Sequence, residues 1–404
     1  MVSGTPFGSL RIIIVTIAVL SQVYLFLRMR HVIKSSRRSE RFKSLAVPLV
    51  GAAIGLLFVM NWQVMYRPIP WVDPPMAAQA LLFYGPAVWT FGSMFSAILL
   101  FLVQVAGWLG RMVVRTSQSF VGRRIPDPVN MSRRRFLQAS VGGIAAAPFL
   151  LSGYGAAHAG QGHEVLELTL RFGLRLRGVQ LTDVHAGIFM TRESMGRYVD
   201  QVIALKPELF LLTGDYISNS TVFFPGFVEE MARVATRYGT FATLGNHENW
   251  YGERSYFEAI FREHGIHLLQ NAHQVIQTEQ GPFAVAGIDD LRSGRPDLEA
   301  ALSGLDSAIP TILLSHRPEI FPRAAAHGIP LTLSGHYHGG QVKLSLPGGD
   351  FSLATLRTPY PEGLYRSNGS HLYVSRGIGT TFTPVRLNAP PEVTVLHLTE
   401  YTVS

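Results

Sequence analysis

The sequence predicts an α/β domain built on a layered sheet and preceded by an all-α transmembrane region. Three observations lead to this fold class. Residues 1 to 159 hold 16 Lys/Arg, three acids and several long uncharged apolar stretches. The remaining residues hold 19 Lys/Arg and 24 acids, so the net charges of the two parts are +13 and −5. From Glu164 onward, short β-rich runs end in polar residues and alternate with amphipathic stretches, which is typical of layered strands and helices.

The apolar stretches of the first part are long enough to cross a bilayer as helices. Residues 12–27 and 45–66 are uncharged and approach or reach the roughly 17 to 25 residues that a span requires. A third stretch, Pro74 to Gly110, is long for one span and barely sufficient for two joined at Gly85-Pro86. Segments rich in Lys/Arg follow the first and third stretches, which places both in the cytoplasm. One helix over 77–109 is then expected, after an outer loop from Arg67 to Pro75.

The fourth apolar segment, Phe136 to Ala157, leaves a basic cytoplasmic loop. We therefore expect the domain after it on the extracytoplasmic side of the cytoplasmic (inner) membrane. The segment SRRRFLQ, which includes Arg133 and Arg134, resembles a twin-arginine export signal, and Ala157 to Ala159 resembles a signal-cleavage site. The same arginines satisfy the charge rule for any outward helix, so both interpretations stay open.

The predicted organisation has three parts. Residues 1–135 form a membrane region with three transmembrane helices, 136–159 form a fourth helix or signal anchor, and 160–404 form the folded domain. The positive net charge comes from the membrane region and the folded domain is mildly acidic, so nucleic acid is not expected as a partner. The chain has no cysteine, so a metal must be held by His, Asp, Glu or Asn.

Five predicted strands of the folded domain are followed by Asp, His or Asn, the residue types that commonly bind metals or transfer protons. The runs 179–182 and 209–212 lead to Asp183, His185 and Asp215, and the run 241–244 leads to Asn246 and His247. The runs 311–314 and 331–333 lead to three more histidines: His316, His336 and His338. Each motif alone is typical of a cap or a loop, but together they place one set of ligands at strand ends.

The ordered motifs D-x-H, G-D, G-N-H-E, H and G-H-x-H resemble the calcineurin-like metallophosphoesterase family, in its bacterial membrane-associated branch. The resemblance covers residues 164 to 400, including the ending SRGIGTTFTPVRLNAPPEVTVL. It implies a four-layer sandwich of two sheets flanked by helices. It also implies two divalent metal ions per chain, from among manganese, iron, zinc and magnesium.

The resemblance assigns seven residues to the two ions. One ion would be held by Asp183, His185 and His338, the other by Asn246, His316 and His336, and Asp215 would bridge them. A carboxylate shared between two divalent ions helps to hold them roughly 3.5 to 4 Å apart.

The same resemblance gives His247 a catalytic role, either protonating the leaving alkoxide or stabilising the transition state. Many relatives carry an acid three residues after the bridging Asp, where it orients this histidine, but this chain has Ser218. Glu248 adjoins His247 in sequence and is not assigned that role. Arg376 is a candidate substrate-binding residue because guanidinium groups match phosphate oxygens, whereas Asp289-Asp290 are assigned to a turn.

These assignments predict a membrane-anchored phosphoesterase that cleaves a phosphodiester in preference to a phosphomonoester, by attack of a metal-bridging hydroxide on the outer face of the membrane. The anchor makes a lipid-linked phosphoester a candidate substrate and membrane lipid an expected partner. The alternative is a catalytically silent membrane-bound sensor or scaffold that keeps the metal fold. All seven ligands and His247 are present, which favours the enzyme.

Overall fold

The computed structural model describes residues 6–66, 74–121, 131–159, 162–347, 349–381 and 383–400. Most of the predicted outer loop, at 67–73, and the basic residues Arg123 and Arg124 lie outside the described residues, as do the side chains of Arg133 and Arg134. The chain divides into two compact units, Met1–Val64 with Ala80–Tyr154, and Met65–Gln79 with Gly155–Ser404.

Within the described residues, four helices are long and apolar enough to cross a membrane. Helix α1 is Pro6–Ser35, α2 is Glu40–Tyr66, and a short α3, Met76–Ala78, leads through a π-helical segment into α4, Gly85–Val121; α5 is Met131–Ala159. The third apolar stretch is thus one helical run, without a turn at Gly85-Pro86. Pro86 explains the π-helical segment before α4, because its ring crowds the carbonyl four residues earlier and its nitrogen donates no hydrogen bond.

Polar contacts join α1 to α4 inside the first unit. Gln22 Nε2 donates to Ser93 Oγ at 2.6 Å, and Trp89 Nε1 donates to Gln22 Oε1 at 2.9 Å. In an apolar surrounding such hydrogen bonds satisfy groups that have no water to bind, and they hold neighbouring helices in register.

The second unit contains 14 described strands and six further helices. The strands are β1 Glu164–Arg171, β2 Leu176–Leu181, β3 Leu209–Leu212, β4 Thr240–Ala242, β5 Ile266–Leu268, β6 Ala272–Thr278, β7 Gly281–Gly287, β8 Thr311–Leu314, β9 Leu331–Ser334, β10 Leu344–Leu346, β11 Gly349–Phe351, β12 Gly363–Ser367, β13 Ser370–Val374 and β14 Glu392–Thr399. The helices are α6 Arg192–Ala204, α7 Phe224–Met231, α8 Asn246–Tyr251, α9 Arg254–Glu263, α10 Leu298–Leu302 and α11 Phe321–Ala326.

Twelve of these strands form two mixed sheets. The first has the order β1-β14-β2-β3-β4-β5, and the second has the order β12-β13-β9-β8-β7-β6. Strands β2 to β5 are parallel, and so are β7, β8, β9 and β13. Parallel strands bring their carboxyl ends to one edge of a sheet, so the loops after β2, β3, β4, β8 and β9 can meet.

The two sheets pack face to face over a shared apolar core. Leu209 and Leu211 of the first sheet lie in one buried cluster with Phe283 and Leu333 of the second. All four residues of β3 are buried because helices cover the other face of the sheet. Helices α10 and α11 pack on the second sheet, and α9 packs beside β5. The predicted four-layer sandwich is confirmed.

A separate hairpin of β10 and β11 stands apart from both sheets. It follows the last predicted metal-ligand motif, SGHYHGGQ, and pairs Leu344 with Phe351 and Leu346 with Gly349. No predicted strand fell on this segment.

Candidate metal centre

The loops after β2, β3, β4, β8 and β9 converge at one point and bring the predicted ligands together. The loops after β2 and β3 pair directly, because Asp183 N donates to Gly214 O and His185 N donates to Asp215 O, both at 3.0 Å. His336 N, from the loop after β9, donates to Asp183 Oδ2 at 3.0 Å. The second sheet is therefore joined to the first through a ligand carboxylate.

Five of the predicted ligands have left-handed backbone conformations, with φ of 51° at Asp183, 48° at His185, 54° at Asp215, 76° at His336 and 51° at His338. Among the residues that the structure describes, ten non-glycine residues have positive φ, so half of them are predicted ligands. Such conformations are uncommon outside glycine, and they concentrate at functional sites, where they aim side chains that a relaxed strand end would not.

Two glycines let the ligand loops approach each other. A Cβ on Gly335 would overlap the carboxylate of Asp183, and a Cβ on Gly245 would overlap that of Asp215. Gly335 and Gly245 directly precede His336 and Asn246. Each motif therefore needs its glycine for space at the ligand carboxylate.

The first group of candidate ligands consists of Asp183, His185 and His338, all buried. His185 Nε2 lies 3.0 Å from His338 Nε2, and His338 Nε2 lies 3.3 Å from Asp183 Oδ1. These atoms surround one point between the two imidazoles.

The second group consists of Asp215, His316 and His336. His316 Nε2 lies 3.2 Å from both Asp215 Oδ2 and His336 Nδ1. Asp215 lies near both groups through one oxygen, whereas its other oxygen is held by the backbone. Oδ1 accepts from His247 N at 2.9 Å, whereas Oδ2 lies 3.7 Å from His185 Nε2 in the first group and 3.2 Å from His316 Nε2 in the second.

The donor set fits divalent cations. His185 Nε2 and His338 Nε2 face each other at 3.0 Å, a spacing that either an N–H···N hydrogen bond or two lone pairs on one bound ion can adopt. Two nitrogens bound at about 2.1 Å to one ion stand about 3.0 Å apart at a right angle and about 3.4 Å apart at a tetrahedral angle. Both observed nitrogen pairs, at 3.0 and 3.2 Å, lie in this interval. Neutral imidazoles combined with carboxylate and amide oxygens suit the first-row transition ions and zinc.

Burial keeps most of the ligand histidines neutral. It lowers the pKa of His185 to about 3 and those of His336 and His338 well below the usual value, and the neutral form is the one that binds metals. His316 differs, because the carboxylates of Asp215 and Asp183 outweigh burial and raise its pKa to about 10. Against the effect of burial, His316 and His247 in turn hold the pKa of Asp215 well below its usual value.

Glu248 holds the loop that carries Asp215. Its carboxylate is buried and accepts four backbone N–H groups, from Asp215 and Gly245 at one oxygen and from Tyr216 and Ile217 at the other, at 2.7 to 3.2 Å. Burial and the charge of Asp215 raise its pKa to about 7, whereas the N–H groups pull that pKa down. Four donors leave no acceptor for a carboxyl proton, so this arrangement binds the ionised form.

His247 finds a partner that the sequence did not indicate. Its Nδ1 lies within hydrogen-bonding distance of the backbone carbonyl oxygen of Ser218. A carbonyl oxygen accepts a hydrogen bond but never donates one, so Nδ1 carries the ring hydrogen and Nε2 is the nitrogen that can exchange a proton. His247 Nε2 lies 3.9 Å from Asp215 Oδ2 and thus faces the ligand cluster.

Two buried arginines next to the ligands were missed in the sequence. Arg317 contacts His336 Nε2, donates to Asn246 Oδ1 at 3.1 Å and pairs with Asp290 Oδ1 at 2.8 Å. Arg386 Nη2 lies 3.2 Å from His338 Nδ1. Each guanidinium group lowers the pKa of the histidine beside it and so disfavours the imidazolium form. Arg317 follows a motif histidine and Arg386 lies in the family-like ending, but neither position signals burial by itself.

Asp290 does more than form the turn assigned to it from the sequence. It forms the expected turn, accepting from the backbone N–H groups of Arg292 and Ser293, and its other oxygen holds Arg317. The turn assignment is therefore incomplete, because Asp290 also supports the second ligand group through that arginine.

Arg376 was also predicted as a site residue, but its side chain does not contact the candidate metal ligands. Its guanidinium group is bound by carboxylates, at 2.7 Å to Glu392 and 2.6 Å to Glu164, and its side chain is 11% exposed. Its backbone carbonyl accepts from Arg386 at 2.9 Å. Phosphate binding by Arg376 stays a prediction.

Comparisons with known proteins agree on one family. Residues 176–340 match the family model described as calcineurin-like phosphoesterase. The uncharacterized metallophosphoesterase YkuE of Bacillus subtilis is 31% identical over 285 residues, which are 66% of this chain and 98% of that protein. Phosphodiesterase YaeI of Escherichia coli is 31% identical over 277 residues, 66% of this chain and 99% of that protein. A transmembrane protein with metallophosphoesterase domain from Danio rerio is 30% identical over 319 residues, 74% of this chain and 70% of that protein.

Proposed function

The chain belongs to the calcineurin-like phosphoesterase family, and from this premise we propose that it is a two-metal phosphodiesterase acting at a membrane. Membership supports a metal-dependent phosphoric ester hydrolase. The proposal adds the number of metals, the preference for diesters and the side of the membrane on which the domain acts.

One observation carries the two-metal part of the proposal. Asp215 Oδ2 lies within 4 Å of a histidine nitrogen from each ligand group, while Oδ1 is occupied by the backbone of His247. One carboxylate oxygen is therefore placed between two candidate sites. When bound, two divalent ions polarise the phosphoryl oxygens and lower the pKa of the attacking water.

The remaining chemistry falls to residues of this chain. His247 is directed at the cluster through Nε2, with Nδ1 held by the Ser218 carbonyl, so it can deliver a proton to the leaving alkoxide. Glu248 fixes the backbone on both sides of Asp215 and thereby the geometry of the bridging oxygen. Trp250 is 41% exposed, and its ring centroid lies 5.0 Å from that of His247. It supplies an aromatic surface beside this histidine.

The test uses the full chain in detergent, stripped of metals and reloaded with manganese, iron, zinc or magnesium. We expect metal-dependent cleavage of bis(p-nitrophenyl) phosphate to exceed that of p-nitrophenyl phosphate. Turnover should be lost in Asp215→Asn and His336→Ala, with about two ions bound per unmodified chain. Stoichiometric metal binding without turnover on any ester would favour the alternative, a silent membrane-bound sensor or scaffold.

The outer-face location is supported by the charge of the loops. Seven Lys/Arg lie between the apolar stretches 12–27 and 45–66, and the positive-inside rule places such a segment in the cytoplasm. Because the chain has no cysteine, single cysteines report sidedness without background. An impermeant maleimide should label Glu258→Cys in intact spheroplasts and Ser39→Cys only after lysis. The reverse labelling pattern would place the domain in the cytoplasm.

A further inference from the structure

The segment from Leu344 to Leu356, which we call the apolar hairpin segment, exposes five large apolar side chains. The exposed fractions are 52% for Leu344, 55% for Leu346, 38% for Phe351, 69% for Leu353 and 70% for Leu356. Between Glu164 and Glu400, no other large apolar side chain among the described residues is more than 42% exposed. Exposed apolar side chains are common singly, but five within 13 residues form a patch that marks an interaction surface.

The burial pattern of this segment is inverted. Ser352, Ala354 and Thr358 are buried, whereas the leucines between them, Leu353 and Leu356, point outward. A segment that only needed to fold would bury its leucines and expose its serine and threonine. The inversion indicates that the outward leucines serve a contact outside the domain.

The base of the segment is fixed to the candidate metal centre. A Cβ on Gly340, two residues after His338, would overlap Ser352. The chain just after β11 therefore packs directly on the loop that carries His338. Lys343 N donates to Leu387 O at 2.9 Å, and Lys343 Nζ pairs with Glu362 at 2.5 Å. The exposed leucines are thus carried on an anchored base beside the ligands.

The chain itself keeps the domain close to a bilayer. The last candidate span ends at Ala157 and β1 begins at Glu164. The residues between them reach about 20 Å when fully extended, whereas a domain of about 240 residues is roughly 45 Å across. The tether is shorter than the domain, so a bilayer crossed by this span lies within one domain diameter of the domain. Arg357, which is exposed and makes no ion pair within the described part of the chain, adds a cation next to the leucines for anionic headgroups.

We propose that the apolar hairpin segment inserts into the surface of the lipid bilayer and presents the metal centre to phosphoesters that carry acyl chains. Leucine and phenylalanine side chains leave water on insertion, as in other interfacial membrane contacts. The docking rests on the exposed surface and the tether, and the acyl-chain substrate class rests on the proposed function.

Docking is tested with spin labels on the full chain in nanodiscs of phosphatidylethanolamine and phosphatidylglycerol. Single labels are placed at Leu346→Cys and Leu353→Cys, with Val222→Cys as the control because it is 42% exposed and lies outside the segment. We expect oxygen, which concentrates in lipid, to relax the two hairpin labels more strongly than a water-soluble nickel complex, and the reverse for the control. Hairpin labels as water-accessible as the control would overturn docking. Labels shielded from both reagents would also overturn it, because a protein would then cover the leucines.

The substrate class is tested with the variant Leu353→Ser/Leu356→Ser, whose altered side chains are exposed and leave the core intact. Two diesters with the same nitrophenyl leaving group are compared, one with two acyl chains in the nanodisc and one soluble in water. We expect turnover of the acylated diester to fall by about tenfold or more, with the soluble diester within about twofold. An equal change for both diesters would overturn the substrate class. If the unmodified chain cleaves neither diester, the proposed function fails, and the spin labels still decide the docking.

Discussion

Replacing Glu248 by glutamine should destabilise the domain although the two side chains have the same shape. The carboxylate accepts four backbone N–H groups, two at each oxygen. A glutamine keeps one oxygen and turns an NH₂ group toward the other two donors, so two buried N–H groups lose their acceptor. Each unpaired buried donor costs about 1–3 kcal/mol, which gives a loss of about 2–6 kcal/mol in the free energy of unfolding.

This loss is large against the total stability of a typical domain, about 5–15 kcal/mol. Urea unfolding of the full chain in detergent, read by pulse proteolysis of the domain, should show the midpoint falling by about 1 to 2 M. Glu258→Gln is the matched control, because Glu258 is half-exposed and its ion pair with Arg254 is long, at 3.9 Å. That variant should leave the midpoint unchanged.

The same experiment in a metal chelator separates two explanations. Glu248 contacts the backbone around Asp215, so the loss should persist when metals are removed. A midpoint shift no larger than that of Glu258→Gln would refute the assignment of Glu248 as the acceptor for this loop. A shift that disappears in the chelator would mean that Glu248 acts through bound metal instead.

Three further predictions follow from the site. Gly335→Ala places a Cβ against the Asp183 carboxylate and should lower the metal content measured after dialysis. Gly226→Ala, where a Cβ meets open space, should leave the metal content unchanged. Equal metal content in both variants would contradict the close-approach argument. Ser218→Ala should keep kcat within about twofold, because the partner of His247 is the backbone carbonyl and not the hydroxyl. His247→Asn should lower kcat by about 10² to 10⁴, most for esters with poor leaving groups. A large loss of kcat in Ser218→Ala would show that the hydroxyl matters. Finally, the raised pKa of His316, about 10, means that the metal-free protein holds a proton there at neutral pH and must release it on metal binding. Apparent metal affinity measured by calorimetry should therefore rise by up to about tenfold per pH unit between roughly pH 6 and 8, and an affinity independent of pH would contradict that protonation state.

Hydrophobic pattern and motif spacing were sufficient to locate the strands and the candidate ligands that follow them. The runs 209–212 and 311–314 were predicted as strands with the bounds that β3 and β8 have in the structure. Their apolar residues are buried on both faces, so burial imposes a continuous apolar run that is visible in the sequence. The residues Asp183, Asp215 and His316 follow such runs directly, and parallel strand ends meet at one edge.

The partners of those ligands were decided only by the tertiary structure. Glu248 binds backbone groups about 30 residues away, His247 pairs with a backbone carbonyl, and Arg386 lies against a histidine 48 residues earlier. Backbone donors and acceptors are the same at every position, so nothing in a side-chain sequence marks which of them a buried group will meet.

The apolar hairpin segment also shows a feature that only the tertiary structure decided. The sequence assigned no role to its leucines, because periodicity reports which residues are apolar and not which face a fold leaves open. Only the packing of Ser352 and Ala354 against the ligand loop turns Leu353 and Leu356 outward. The sequence by itself determined the family, the layered fold and the residues that gather at the strand ends, because local pattern encodes them. The orientation of the leucines and the hydrogen-bond partners of the site arise from contacts between distant segments, and these exist only once the sheets have packed.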